Sequence, residues 1–111
     1  MKKYEKFVKE TSIEFKNVNE DLIFFIMGIA GESGEILDRL IKHLRGGFDN
    51  SITDELREDL IEELGDILFY ITRSSQLLGI SLDEVMQLNI EKLLKRIANK
   101  NLLPTTKRIN K

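Results

Sequence analysis

The sequence predicts an all-α protein of four helices arranged as a bundle-like subunit, and three observations carry that prediction. There is one proline in 111 residues, at Pro104. Runs of alternating apolar and polar residues with β-branched side chains are scarce. Apolar residues instead recur at three- and four-residue steps in four segments separated by glycine, asparagine and serine stop signals.

The first segment, roughly Lys3 to Phe15, carries Tyr4, Phe7, Val8 and Phe15 among charges, which makes only a modest apolar stripe. The second is expected to begin after Asn19, an N-cap residue with Glu20 and Asp21 in the first turn, and to run to about Arg45 before Gly46-Gly47. Its first half, Leu22 to Ala30, is apolar on every side. Four helices can hardly surround such a stretch, so its cover is expected from another subunit. Gly28, Gly31 and Gly34 each weaken a helix interior by roughly 1 kcal/mol relative to alanine, so a close neighbour, either a crossing helix or a ligand, is expected there. The third helix, about Asp54 to Leu78, aligns Leu56, Leu60, Leu64, Ile67, Ile71 and Leu78, and Gly79 closes it. Ser81-Leu-Asp-Glu84 has the form of a capping box opening a fourth helix to about Ala98, with Leu82, Met86, Ile90, Leu93, Leu94 and Ile97 on its apolar face. The short connection between the last two helices predicts antiparallel neighbours. One domain is expected over 1–111, with its core at about 20–98 and a mobile tail at 99–111.

Composition narrows the function. Seventeen basic and 19 acidic residues give a net charge of -2, which argues against a protein that coats nucleic acid by bulk charge. The absence of cysteine excludes disulfides, thiolate metal sites and cysteine nucleophiles. The charged N-terminus lacks the apolar core of a signal peptide, and Leu22–Ala30 is about half the length of a membrane span. A cytoplasmic location without membrane association is therefore expected.

Glu32 and Glu35 stand one helical turn apart at the margin of the second helix's apolar stripe, and Glu63 and Asp66 repeat that step on the third. On a helical wheel Glu63 falls at the border of the apolar face, Asp66 somewhat further out, and Glu62 points away. If the two helices pack, four acids converge, and crowded carboxylates raise one another's pKa unless a cation holds them ionised. A lone Glu-x-x-Glu is more often solvated surface, and Glu35 also has a helix-pair partner in Arg39. Tyr70 lies one turn beyond Asp66, either as a ring that stacks on a base or as an ordinary boundary tyrosine. On the fourth helix Asn89 falls within the apolar face, with Lys92 and Arg96 aligned beside it, a grouping suited to an anion. Carboxylates without nitrogen or sulfur select magnesium or manganese. His43, the one histidine, is not placed for a Glu-x-x-His di-iron site, and no P-loop glycine-lysine sequence is present.

Glu32-Ser-Gly-Glu35 followed by Glu63-Leu-Gly-Asp66 resembles the hallmark of the MazG-like all-α nucleoside triphosphate pyrophosphohydrolases. The flanks Gly31–Glu35, Glu62–Tyr70, Leu78–Val85 and Asn89-Ile-Glu-Lys92-Leu93 are also similar in order and spacing. The resemblance spans about Leu22 to Arg96. It implies a Mg2+-dependent enzyme, with Mn2+ as a substitute, that cleaves a nucleoside triphosphate to monophosphate and pyrophosphate. It further implies Glu32, Glu35, Glu63 and Asp66 as metal ligands, triphosphate contacts from Asn89 and Lys92, and a homodimer or homotetramer. Glu32 or Glu35 would act as base, with Glu32 favoured because its place nearer the apolar face should desolvate it. A non-catalytic nucleotide-binding or dimerisation module is the alternative, since fold does not fix function.

Overall fold

The computed structural model describes residues 2–45 and 51–99 and consists of four helices: α1 (Lys2–Thr11), α2 (Val18–Arg45), α3 (Asp54–Leu77) and α4 (Leu82–Ala98). The Gly46-Gly47 stop and the tail from Lys100 to Lys111 lie outside the described residues. Among the described residues no helix is long and apolar enough to cross a membrane.

The caps explain the boundaries. α1 ends at Thr11, four residues earlier than its apolar pattern predicts, and two polar side chains close it: the Thr11 hydroxyl donates to the Phe7 carbonyl and the Ser12 hydroxyl to that of Val8. The Val8 carbonyl is one of the last four of α1, which a helix end leaves without intrahelical partners. α2 starts two residues before the expected point because Asn17, rather than Asn19, caps it, with Asn17 Oδ1 accepting from the Glu20 amide at 2.9 Å. The linker is drawn against the helix start by Asp21, whose buried carboxylate accepts from the Phe15 amide, and by Glu20, which accepts from the Lys16 amide at 3.0 Å. Thr53 caps α3 through the Leu56 amide. Gly79, at φ +79°, closes α3 in the left-handed region that favours glycine. The Ser81–Glu84 capping box forms as the sequence predicts.

α2 and α3 make the principal pairing, α1 packs on α3, and α4 touches α3 only sparingly after the turn at Gly79. α1 is anchored more firmly than its stripe suggests. Val8 is fully buried, Gln76 Nε2 donates to the Glu5 carbonyl at 2.7 Å, and the Glu5 carboxylate accepts from the first amide of α4. The fully apolar half of α2 is mostly bare in the single chain. Phe25 is buried, while Ile23 is 59% and Met27 68% exposed. α4 departs furthest from expectation: only Leu82 is buried, and Asn89, expected within a packed face, is exposed because little of this chain lies against α4.

A close neighbour is present at one of the three α2 glycines. A Cβ on Gly28 would lie 2.5 Å from Tyr70 Cδ1 and Cε1, so the α2–α3 crossing requires glycine there. Among the described residues, nothing beyond the helix's own backbone and the adjoining residues lies within 4 Å of a Cβ built on Gly31 or Gly34. Gly28→Ala is therefore expected to lower the thermal midpoint, because overpacking costs about 1–3 kcal/mol and outweighs the roughly 1 kcal/mol gain in helix propensity. Gly65→Ala on α3, where the added methyl meets nothing within 4 Å among the described residues outside its own helix backbone, should leave the midpoint unchanged or raise it. Parallel thermal melts of the two variants check the order.

Candidate active site

The α2–α3 pairing brings Glu32, Glu63 and Asp66 together: one carboxylate oxygen from each lies within 4.8 Å of the other two. The helical-wheel placement holds. Glu63 is only 4% exposed, Asp66 is exposed beside it, and Glu62 faces solvent. Glu35 is exposed one turn beyond Glu32, close enough for its charge to act on the Glu32 carboxyl.

Arg39 plays a part that the i,i+4 pairing with Glu35 does not anticipate. It reaches across to α3, donating from Nε and Nη2 to Glu63 Oε1 at 3.3 and 3.2 Å and from Nη1 to Asp59 Oδ2 at 3.1 Å. This fork fixes the Glu63 carboxylate through one oxygen only. Its other oxygen, Oε2, and Oε2 of Glu32 are buried and, with both acids ionised, meet no hydrogen-bond partner among the described residues; only a proton held between the two carboxyls lets them bond to each other. The signal was present in sequence, since Arg39 stands four residues after Glu35 and seven after Glu32 on the same face; helix periodicity could not show which acid it meets.

Burial pushes the Glu32 carboxyl up to about 7, with further contributions from its hydrogen bond to Glu63 and the charges of Glu35 and Asp66. Glu63 moves below the usual carboxylate range, through the Glu32 hydrogen bond and the Arg39 guanidinium, against the opposing effect of burial. Without a cation, the proton shared by this pair resides on Glu32. The Tyr70 phenol is raised by burial and by the charges of Glu32, Asp66 and Glu35, and stays protonated.

Two buried acceptor oxygens lacking donors, in a cluster made only of carboxylates, fit a hard divalent cation such as Mg2+ or Mn2+. Such an ion would supply the missing partner to both oxygens and hold Glu32 ionised.

Tyr70 lies on the Glu32 side of α3 with Phe25 (ring centroids 5.5 Å apart) and Phe24 (6.2 Å) around it. The α4 residues lie elsewhere. Asn89 borders an apolar recess with Tyr4, Ile71 and Met86, and Lys92 and Arg96 line a separate groove with Lys95. The single chain therefore assembles Glu32, Glu63, Asp66 and Tyr70 into one site, with Glu35 exposed one turn away from the cluster, and leaves Asn89, Lys92 and Arg96 outside it. His43 sits in the last turn of α2, a helix-end residue as expected.

Residues 24–100 match the family model of the MazG nucleotide pyrophosphohydrolase domain. The chain belongs to that family, which accords with its four helices and its paired acids. It is 42% identical over 77 residues to the Gene 37 protein of Mycobacterium phage L5, covering 69% of this chain and 67% of that protein. It is also 36% identical over 77 residues to the uncharacterized protein YvdC of Bacillus subtilis (strain 168), covering 65% of this chain and 69% of that one. No solved structure matches it significantly.

A carboxyl that holds its proton better folded than unfolded contributes stability that is fully present below its ordinary 4.5 and is lost as pH rises through about 7. In the presence of a chelator, the contribution of Glu32 to stability should thus fall between those values. Glu32→Gln should flatten that decline and melt at or above the parent protein at pH 8. Melting curves with EDTA at pH 5.5 and pH 8 check both expectations.

Proposed function

We propose that the chain hydrolyses a nucleoside triphosphate to its monophosphate and pyrophosphate, serving nucleotide-pool sanitation or balance. The observation that supports this reading most directly is the buried pair of unpartnered oxygens on Glu32 and Glu63 beside Asp66. Glu32, Glu35, Glu63 and Asp66 hold Mg2+, with Mn2+ able to replace it. Bound there, the ion supplies positive charge to the triphosphate and to the pyrophosphate leaving group.

The remaining work falls to the protein. Glu32 is desolvated at the margin of the α2–α3 contact, and a desolvated carboxylate held ionised beside the cluster suits a group that takes the proton from the water attacking the α-phosphorus. Glu35 lies one turn away as the alternative base. Arg39 keeps Glu63 ionised and aims its free oxygen inward, so it acts as a positioning residue. Tyr70, protonated and ringed by phenylalanines, offers a face to the nucleoside.

Asn89, Lys92 and Arg96 carry amide and positive groups suited to the triphosphate. Their place on a sparsely packed α4 supports the reading that they serve the site of a neighbouring copy in a homodimer or homotetramer. The same assembly would cover the bare half of α2 around Ile23 and Met27, whose exposure is costly for an isolated chain.

Pyrophosphate release from a panel of deoxynucleoside triphosphates, with and without Mg2+, tests the reading. Metal-dependent turnover is expected. Glu32→Gln should lower kcat by about a hundredfold or more, and Glu63→Gln should abolish turnover at ordinary Mg2+ concentrations. Lys92→Ala should act mainly by raising KM. Nucleotide and metal binding without any pyrophosphate release would instead identify a non-catalytic binding module.

A further inference from the structure

We propose that the cavity beside the acidic cluster holds the base of the nucleotide and selects bases bearing an exocyclic amino group, cytosine or adenine, over their oxo counterparts. This inference rests on the proposed function for the placing of the phosphates, and it adds the class of nucleoside.

The cavity has a volume of about 340 Å³, within the range of small-molecule sites. Glu32 and Asp66 border it, so a nucleotide with its phosphates at the acids would direct its base inward. Phe24, Phe25, Phe69 and Tyr70 form its walls and supply apolar and π surface that any base can use. These walls give affinity without choosing a base.

The choice falls to Thr11 and Ser12, which line the same cavity at the end of α1. A hydroxyl has one proton to donate and lone pairs to accept. Both protons are committed: Thr11 Oγ1 donates to the Phe7 carbonyl at 2.7 Å, and Ser12 Oγ donates to the Val8 carbonyl. These hydroxyls therefore present only lone pairs to a ligand. They also stand at the C-terminal end of a helix, the negative end of its dipole, where donors are favoured. An exocyclic amino group meets both conditions with its N–H donors. An oxo group sets an acceptor against acceptors and leaves desolvated lone pairs unmatched, which costs free energy. Thr11 and Ser12 precede residue 24, where the family match begins, so this selection comes from a part of the chain outside the matched segment.

Nucleoside monophosphates test this without requiring turnover. Calorimetric titration of the full chain in Mg2+ with dCMP against dUMP, and with dAMP against dIMP, compares bases that exchange an amino for an oxo group and, with it, the adjacent ring-nitrogen acceptor for an N–H donor. The amino member of each pair should bind about tenfold more tightly, a difference of about 1.4 kcal/mol. A Thr11→Val, Ser12→Ala double variant that still melts cooperatively should bring the members of each pair to nearly equal affinity. Should that variant not fold, Thr11→Val alone, which keeps the shape of the side chain, is expected to narrow the gap. Equal or inverted affinities in the parent protein, a preference that survives in the variant, or no binding of any of the four would overturn the proposal. Amino preference without pyrophosphate release would remove the proposed activity and leave the base pocket standing. Turnover without base preference would do the reverse.

Discussion

The structure depends on how one buried acid is kept charged. Glu63 lies in the α2–α3 contact, where an isolated carboxylate would take up a proton rather than remain ionised. The Glu32 hydrogen bond and an Arg39 fork shared with Asp59 prevent this, the fork through one oxygen only. The second oxygen is left facing Glu32, which carries the surplus proton in its place. Two neighbouring acids thus acquire opposite tendencies, one held ionised by the hydrogen bond from its neighbour and by a guanidinium, the other driven toward neutrality by burial. A divalent cation bound there would resolve the tension by taking the place of that proton.

The geometry that allows this is set by small residues and caps. Gly28 lets the Tyr70 ring lie against the backbone of α2, which fixes how closely the two long helices approach. Asp21 and Glu20 tie the preceding linker to the start of α2, bringing the end of α1 beside the aromatic residues next to the acids. The cavity is therefore built jointly by the family-matched helices and by a segment that precedes them.

Much of this was legible in sequence because its signals are local. The capping box at Ser81, the stop at Gly79 and the inward order Glu63, Asp66, Glu62 all follow from spacing along a single helix. The start of α2 was misplaced because Asn17 and Asn19 are both good caps and only the hydrogen bond to Glu20 distinguishes them. The reach of Arg39 was hidden for a different reason: an i,i+4 acid offered a local partner, while the actual partners lie 20 and 24 residues away. The burial expected for Asn89 was read from an apolar pattern, which records that a helix face is covered without saying what covers it.

The central claim is that Glu63, held by Arg39, contributes a free oxygen to a divalent cation shared with Glu32 and Asp66. Titration of the chelator-treated protein with Mn2+, followed by the loss of the free-ion paramagnetic resonance signal, tests it most directly. The account predicts saturable binding by the parent protein and a large loss of affinity in Glu63→Gln with the helical fold retained. Equal Mn2+ affinity in the two proteins, or none in the parent, would contradict it.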